Sequence, residues 1–114
     1  TIDAMVALGA EPTRITAAIG PTISAVNYEV GPQFMDDFVQ LQPQGWRHFS
    51  THGGQRAHFD LPGFVEAQLR GAGIETIDRV GLCTYGHPER YFSHRYATHK
   101  KLQTGRQIAV IGLT

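Results

Sequence analysis

Cysteine is all but missing from this chain. Cys83 is the only one among 114 residues, so no disulfide forms within the chain, and a lone thiol suits a reducing compartment such as the cytoplasm. Long apolar runs are also missing. None approaches the roughly 18 residues that a membrane-crossing helix needs, and no secretory leader pattern is visible. An excess of charge is lacking too, since ten Lys and Arg balance ten Asp and Glu. Nucleic-acid binders need a basic face to displace counterions. The balance therefore speaks against nucleic acid as a partner, although Arg90, Arg95, Lys100, Lys101 and Arg106 gather in the last quarter. Repeats, low-complexity tracts and long linkers are absent. What is there is the composition of one ordinary folded domain, 41% hydrophobic, enough for a modest core.

The pattern alternates strands with helices, which predicts an α/β (α+β) layered sandwich with a mixed sheet. Ile2, Met5 and Val6 share one face of a helix over Thr1–Leu8, stopped by Gly9. Arg14–Ile19 reads as a short strand broken by Gly20-Pro21. Gly31-Pro32 opens a second helix with Phe34, Met35, Phe38 and Leu41 on one side, where a first-turn proline is tolerated. Gln42–His58 is polar and rich in Gly and His, and reads as a loop. Asp60 is placed to cap a third helix, with Phe64, Val65 and Leu69 as its apolar stripe and Gly71 or Gly73 at its end. Thr76–Thr84 and Tyr91–Arg95 read as strands, and Gln107–Leu113 as a buried central strand. A helix that starts at the first residue without a cap predicts that residues 1–114 are a portion of a longer domain.

Chemistry is expected at three places. The Gly20-Pro21 break exposes backbone groups where open α/β sheets bind ligands, with Tyr28 close behind; a plain turn with a packing tyrosine is the competing reading. Cys83-Thr84 lies where a strand runs out and is placed to line a pocket, so Cys83 is a candidate nucleophile or metal ligand, set against the usual fate of a buried thiol as a small hydrophobe. Tyr91-Phe92-Ser93-His94-Arg95 precedes Thr104-Gly105-Arg106, and two guanidinium forks beside a hydroxyl suit an anion. The six His do not form a zinc pattern. His48 and His52 lie in a Gly-rich stretch, and His87 of the Cys83/His87 pair precedes a proline.

Together these segments resemble the laccase-domain family, also described as multicopper polyphenol oxidoreductases, as purine nucleoside phosphorylases and, in part, as peptidoglycan editing factors. The matching stretches are Ile19-Gly20-Pro21-Thr22-Ile23, Asn27-Tyr28-Glu29-Val30-Gly31, Phe59-Asp60-Leu61, Cys83-Thr84, Tyr91–Arg95 and Thr104-Gly105-Arg106-Gln107-Ile108. Ala25-Val26 and Tyr96 depart from the pattern, the latter standing where many relatives place a second arginine. The resemblance implies a partial domain, the carboxyl-terminal part of a laccase-domain (cysteine-hydrolase-like) fold. It also implies phosphorolysis of adenosine, inosine, guanosine or S-methyl-5′-thioadenosine, with purine nucleoside and phosphate as partners. A zinc-dependent adenosine deamination would accompany it. The zinc would be held by two His and one Cys upstream of Thr1, no residue here would be a metal ligand, and copper is less favoured. On this basis Cys83, Ser93 and Arg95 are the expected catalytic residues. Gly20, Pro21, Tyr28, Thr84, Phe92 and Arg106 are expected to contact substrate. The residues taken alone would be inactive. Alternatives are an amidohydrolase acting on peptidoglycan precursors, a laccase-like polyphenol oxidase, and a nucleoside-binding module without turnover.

Overall fold

Two small sheets organise the chain, one parallel and one antiparallel, and the aromatic core lies against the second. The computed structural model describes residues 1–51 and 56–111, so His52 and the last residues of the expected strand at 107–113 lie outside the described residues. Helix α1 (Ile2–Ala7) ends at Gly9, whose φ of +104° is the left-handed conformation that favours glycine. A tight 3-10 turn at Pro12–Arg14 leads into β1 (Thr16–Ile19), and another at Ala25–Asn27 precedes β2 (Glu29–Val30). Helix α2 (Pro32–Leu41) follows, then a 3-10 segment over Pro43–His48, β3 (Phe49–Ser50) and β4 (Ala57–Phe59). Helix α3 (Leu61–Gly71), β5 (Thr76–Arg79) and α4 (His94–Lys100) complete the order.

The expectation of an α/β organisation with parallel and antiparallel pairing holds. β1 and β5 run parallel in the register Thr16↔Thr76 to Ile19↔Arg79, and α3 packs against β1 within this crossover. β4 lies between β2 and β3, pairing antiparallel with both. Phe59 of β4 is 2% exposed and is ringed by Phe38, Phe49 and Phe64 at centroid distances of 4.9, 4.7 and 5.9 Å. Tilted contacts of this kind avoid the face-to-face arrangement that the quadrupoles of aromatic rings disfavour. Met35 and Phe38 supply the apolar face that their helical spacing predicts, while Leu41 of the same face is 81% exposed. Asp60 caps α3 as expected, its carboxylate accepting from the Gly63 N–H at 3.2 Å.

Four sequence expectations need correction. Tyr91–Arg95 is not a strand. Ser93 Oγ accepts the Tyr96 N–H at 3.2 Å and starts α4, so a local cap overrides the β preference of Tyr91 and Phe92. Gln42–His58 is not one loop, because Phe49 and Phe59 find each other across β3 and β4. The strand from Thr76 stops at Arg79 rather than running to Thr84. Residues 107–111 are apolar but make no ladder among the described residues, with Ile108, Val110 and Ile111 at 87%, 84% and 99% exposure. An apolar run becomes a central strand only where a neighbouring edge takes its backbone groups, and none is set beside it among the described residues.

Candidate functional site

The Gly20-Pro21 break works together with a matching irregularity on the partner strand. β1 and β5 pair up to Ile19↔Arg79, and pairing resumes at the isolated parallel bridge Thr22↔Cys83. Two residues on one side, Gly20 and Pro21, thus face three on the other, Val80 to Leu82. The extra residue makes a bulge, with Gly81 in the left-handed region at φ +76°. Beyond it the Thr22 N–H donates to the Leu82 carbonyl at 3.2 Å and the Thr84 N–H to the Thr22 carbonyl at 3.1 Å. Pro21 has no N–H to leave unpaired at this point. The bulge re-aims Cys83 and Thr84, and successive residues then face opposite ways.

Two clefts result, with Thr22 in the lining of both. The larger, about 340 Å³, gathers Pro21, Tyr28, Thr84, Phe92, Ser93 and Arg95. Three segments that are far apart in sequence therefore meet. The smaller, about 220 Å³, is lined by Gly20 and Cys83 together with Asp60 and Arg79. Arg106 is exposed and lines neither cleft. Thr22, Ile23, His94 and Gln107 also line the larger cleft and were not singled out by sequence. For Gln107 the Thr-Gly-Arg-Gln stretch was visible, but nothing in its spacing marked the glutamine.

Tyr28 joins the core to the larger cleft. Its ring leans on Phe59 at 6.0 Å and on Phe34 at 6.3 Å. The Arg95 guanidinium carbon sits 5.3 Å from its centroid, a cation–π distance. Arg95 Nη1 donates to the Glu29 carbonyl at 2.6 Å, which ties α4 to the start of β2. Tyr96, the departure from the family pattern, packs edge-on against Tyr85 at 5.5 Å. Thr84 is 6% exposed.

Cys83 sits in a nest of donors. Its Sγ accepts from the Ser24 N–H at 3.3 Å, Asn27 Nδ2 at 3.3 Å and the Gly86 N–H at 3.4 Å. Burial pushes the thiol up and is the largest single influence. Hydrogen bonds from the Ser24 side chain and backbone, from Asn27 and from Gly86 together outweigh it and bring the pKa down from 9.0 to about 7. His87 does not join Cys83 as a ligand. Its Nδ1 carries the proton and donates to the Cys83 carbonyl at 2.9 Å, an atom that only accepts. Likewise His58 Nδ1–H donates to the Ala25 carbonyl at 2.8 Å and holds the turn that carries Asn27. Among the described residues no group of three or more His, Cys, Asp and Glu side chains converges to hold a metal ion. No helix among them is long and apolar enough to cross a membrane.

Comparison with known proteins supplies the setting for this geometry. A family model described as multi-copper polyphenol oxidoreductase laccase matches residues 1–114. A purine nucleoside phosphorylase of Deinococcus radiodurans is 39% identical over 113 residues, 99% of this chain and 42% of that protein. One from Mycobacterium tuberculosis is 36% identical over 110 residues, covering 96% of this chain and 41% of its own. The crystal structure of the Bacillus licheniformis hypothetical protein YfiH matches with a TM-score of 0.75 and 29% identity, over 87% of this chain and 39% of that one. Neisseria meningitidis NMB0706 matches with a TM-score of 0.69 and 25% identity, over 82% and 39%. The chain thus spans about two fifths of the length of these relatives. It belongs to the multi-copper polyphenol oxidoreductase laccase family.

Proposed function

We propose that this chain forms one wall of a nucleoside and phosphate site, in a protein that cleaves purine nucleosides with phosphate. The observation that carries the reading is the meeting of Tyr28, Phe92 and Arg95 with Pro21 and Thr84 at one open cleft. The relatives named purine nucleoside phosphorylase support it. A purine offers a flat face, and Tyr28, backed by Phe59, offers a fixed ring to meet it. Phe92 stands exposed at the same cleft.

In phosphorolysis a phosphate oxygen bonds to the ribose C1′ while the C1′–N bond breaks. The electron pair leaves on the base, which then takes up a proton. Positive charge builds at C1′ on the way, so an anion held beside it lowers the barrier. The bond to Glu29 uses one N–H of the Arg95 fork and leaves others for phosphate oxygens. Ser93 accepts from the Tyr96 N–H with a lone pair and keeps its own hydroxyl proton to donate. Thr84 and Pro21 form the wall of this cleft, while Cys83 and Gly20 line the smaller one. Adenosine, inosine, guanosine and S-methyl-5′-thioadenosine are the proposed substrates, in the cytoplasm.

The family's description implies a metal, and zinc-dependent deamination is the companion activity proposed. The described residues do not fit a metal site. Its ligands are therefore proposed to lie in the portion of the family domain that this chain does not span, and no step above runs through it.

The test is phosphate-dependent release of hypoxanthine from inosine by the protein that joins this chain to the rest of the family domain. Arg95→Ala is expected to lower kcat/KM by about tenfold to a hundredfold. Release that ignores phosphate, or an Arg95→Ala protein as fast as the parent, overturns the assignment. Amide hydrolysis of muropeptide precursors, assayed in parallel, is the rival outcome.

A further inference from the structure

We infer that Gln107 is a positioning residue that acts through Phe92, and that the Gly105–Gln107 stretch clasps Phe92 as the outer wall of the larger cleft. That the ring held against this wall is a nucleoside base rests on the reading above; the clasp itself does not.

Gln107 lies in a segment without regular structure, yet its side-chain amide pairs with the Phe92 main chain as a neighbouring strand would. The Phe92 N–H donates to Oε1 at 3.0 Å, and Nε2 donates to the Phe92 carbonyl at 3.3 Å. A side chain bound twice to one residue is held in a single orientation. Its role at the cleft is to hold Phe92, since one donor and one acceptor of the amide are already engaged. Two residues earlier the chain is bare. A Cβ at Gly105 would stand 3.0 Å from Phe92 Cε1 and Cζ, tighter than ordinary contacts, so the ring rests on glycine backbone.

Phe92 is 55% exposed, and an exposed ring ordinarily hops between rotamers within nanoseconds. Here its main chain is gripped by Gln107 and one face is covered at Gly105. Because Phe92 adjoins Ser93, the cap of α4, the same grip fixes the ring relative to Arg95 on that helix. An aromatic wall at a set distance from a guanidinium favours a ligand that carries a flat ring. It contributes nothing to an anion bound alone.

Two kinds of measurement separate the clasp from the nucleoside reading. Trp46 is the only tryptophan, so Phe92→Trp in a Trp46→Phe background gives a reporter at the cleft. Acrylamide quenching of its emission is expected to rise by about twofold when Gln107→Met removes the amide but keeps the length, the scale of freeing a group held by two hydrogen bonds. Gly105→Ala, which drives a methyl at the ring, is expected to act in the same direction. Quenching unchanged in both variants overturns the clasp.

With Phe92 in place, equilibrium dialysis of inosine against the protein that joins this chain to the rest of the family domain, and against its Gln107→Met variant, is expected to show binding weakened by about threefold to tenfold in the variant. Binding of inorganic phosphate should stay within about twofold, as it makes no ring contact. In a Phe92→Ala background Gln107→Met should weaken inosine no further. An equal loss for phosphate, or a loss that persists without Phe92, overturns the positioning role. Absence of inosine binding by the parent protein that joins this chain to the rest of the family domain overturns the nucleoside reading instead, and the quenching result then upholds or overturns the clasp alone.

Discussion

Cys83 carries the best defined electrostatics in the chain. Three N–H donors hold its sulfur and stabilise the thiolate, so its pKa falls to about 7 in the fold against 9.0 for the free side chain. Alkylation by iodoacetamide is therefore expected to follow a titration with a midpoint near 7, and Asn27→Ala should move that midpoint upward. A midpoint left in place by Asn27→Ala would show that the amide does not reach the sulfur. The same shift bears on stability. A thiol depressed on folding binds fewer protons in the native state than in the unfolded one between the two values. It stabilises the fold fully above about 9, and that contribution fades as pH falls through about 7. The margin of the parent over Cys83→Ser in urea should accordingly be larger at pH 9 than at pH 6. Of this arrangement only a place for Cys83 shortly after the strand that begins at Thr76 was legible in the sequence. Its donors Ser24 and Asn27 lie 59 and 56 residues away, and nothing in local spacing could pair them with it.

At the scale of elements, local chemistry decided which expectations survived. α2 and α3 were legible because each has a helical apolar stripe, with a proline in the first turn of α2, and Asp60 was legible as the cap of α3 because the carboxylate acts within three residues. Asp60→Ala is expected to cost about 1 kcal/mol in urea unfolding, and no loss would mean that another acceptor takes the Gly63 N–H. α4 was misread because Tyr91 and Phe92 suggest a strand, while the decisive group is one hydroxyl, Ser93 Oγ. Gly45 offers a sharper test of packing. It is buried in the 3-10 segment after α2, and a Cβ there would run into the Phe38 ring. Gly45→Ala should therefore destabilise the chain by about 1–3 kcal/mol, the usual scale of overpacking. A neutral effect would show that Phe38 can swing aside, which its contacts with Phe59 and Phe64 oppose.

The molecule as a whole is thin for its length. It measures 47 × 34 × 19 Å with a radius of gyration of 16.2 Å, against about 13 Å for a compact chain of roughly this size. Its fully buried apolar side chains among the described residues are few, Phe59 and Ile74 being the large ones, while Leu8, Leu41, Ile108, Val110 and Ile111 are each more than 80% exposed. The parallel sheet has two strands, though parallel strands are ordinarily covered on both faces. Apolar surface left in water at this density drives association. Sedimentation velocity of the isolated chain is expected to show a weight-average sedimentation coefficient that climbs with concentration. Ile108→Ser with Val110→Ser should flatten the climb, since these side chains leave the aromatic core untouched. The larger cleft lies on this same thin body and is walled on one side by the tail that begins at Gly105. A single concentration-independent boundary of monomer mass, with a sharp cooperative melt, would instead mean that the exposed apolar tail is covered within one chain.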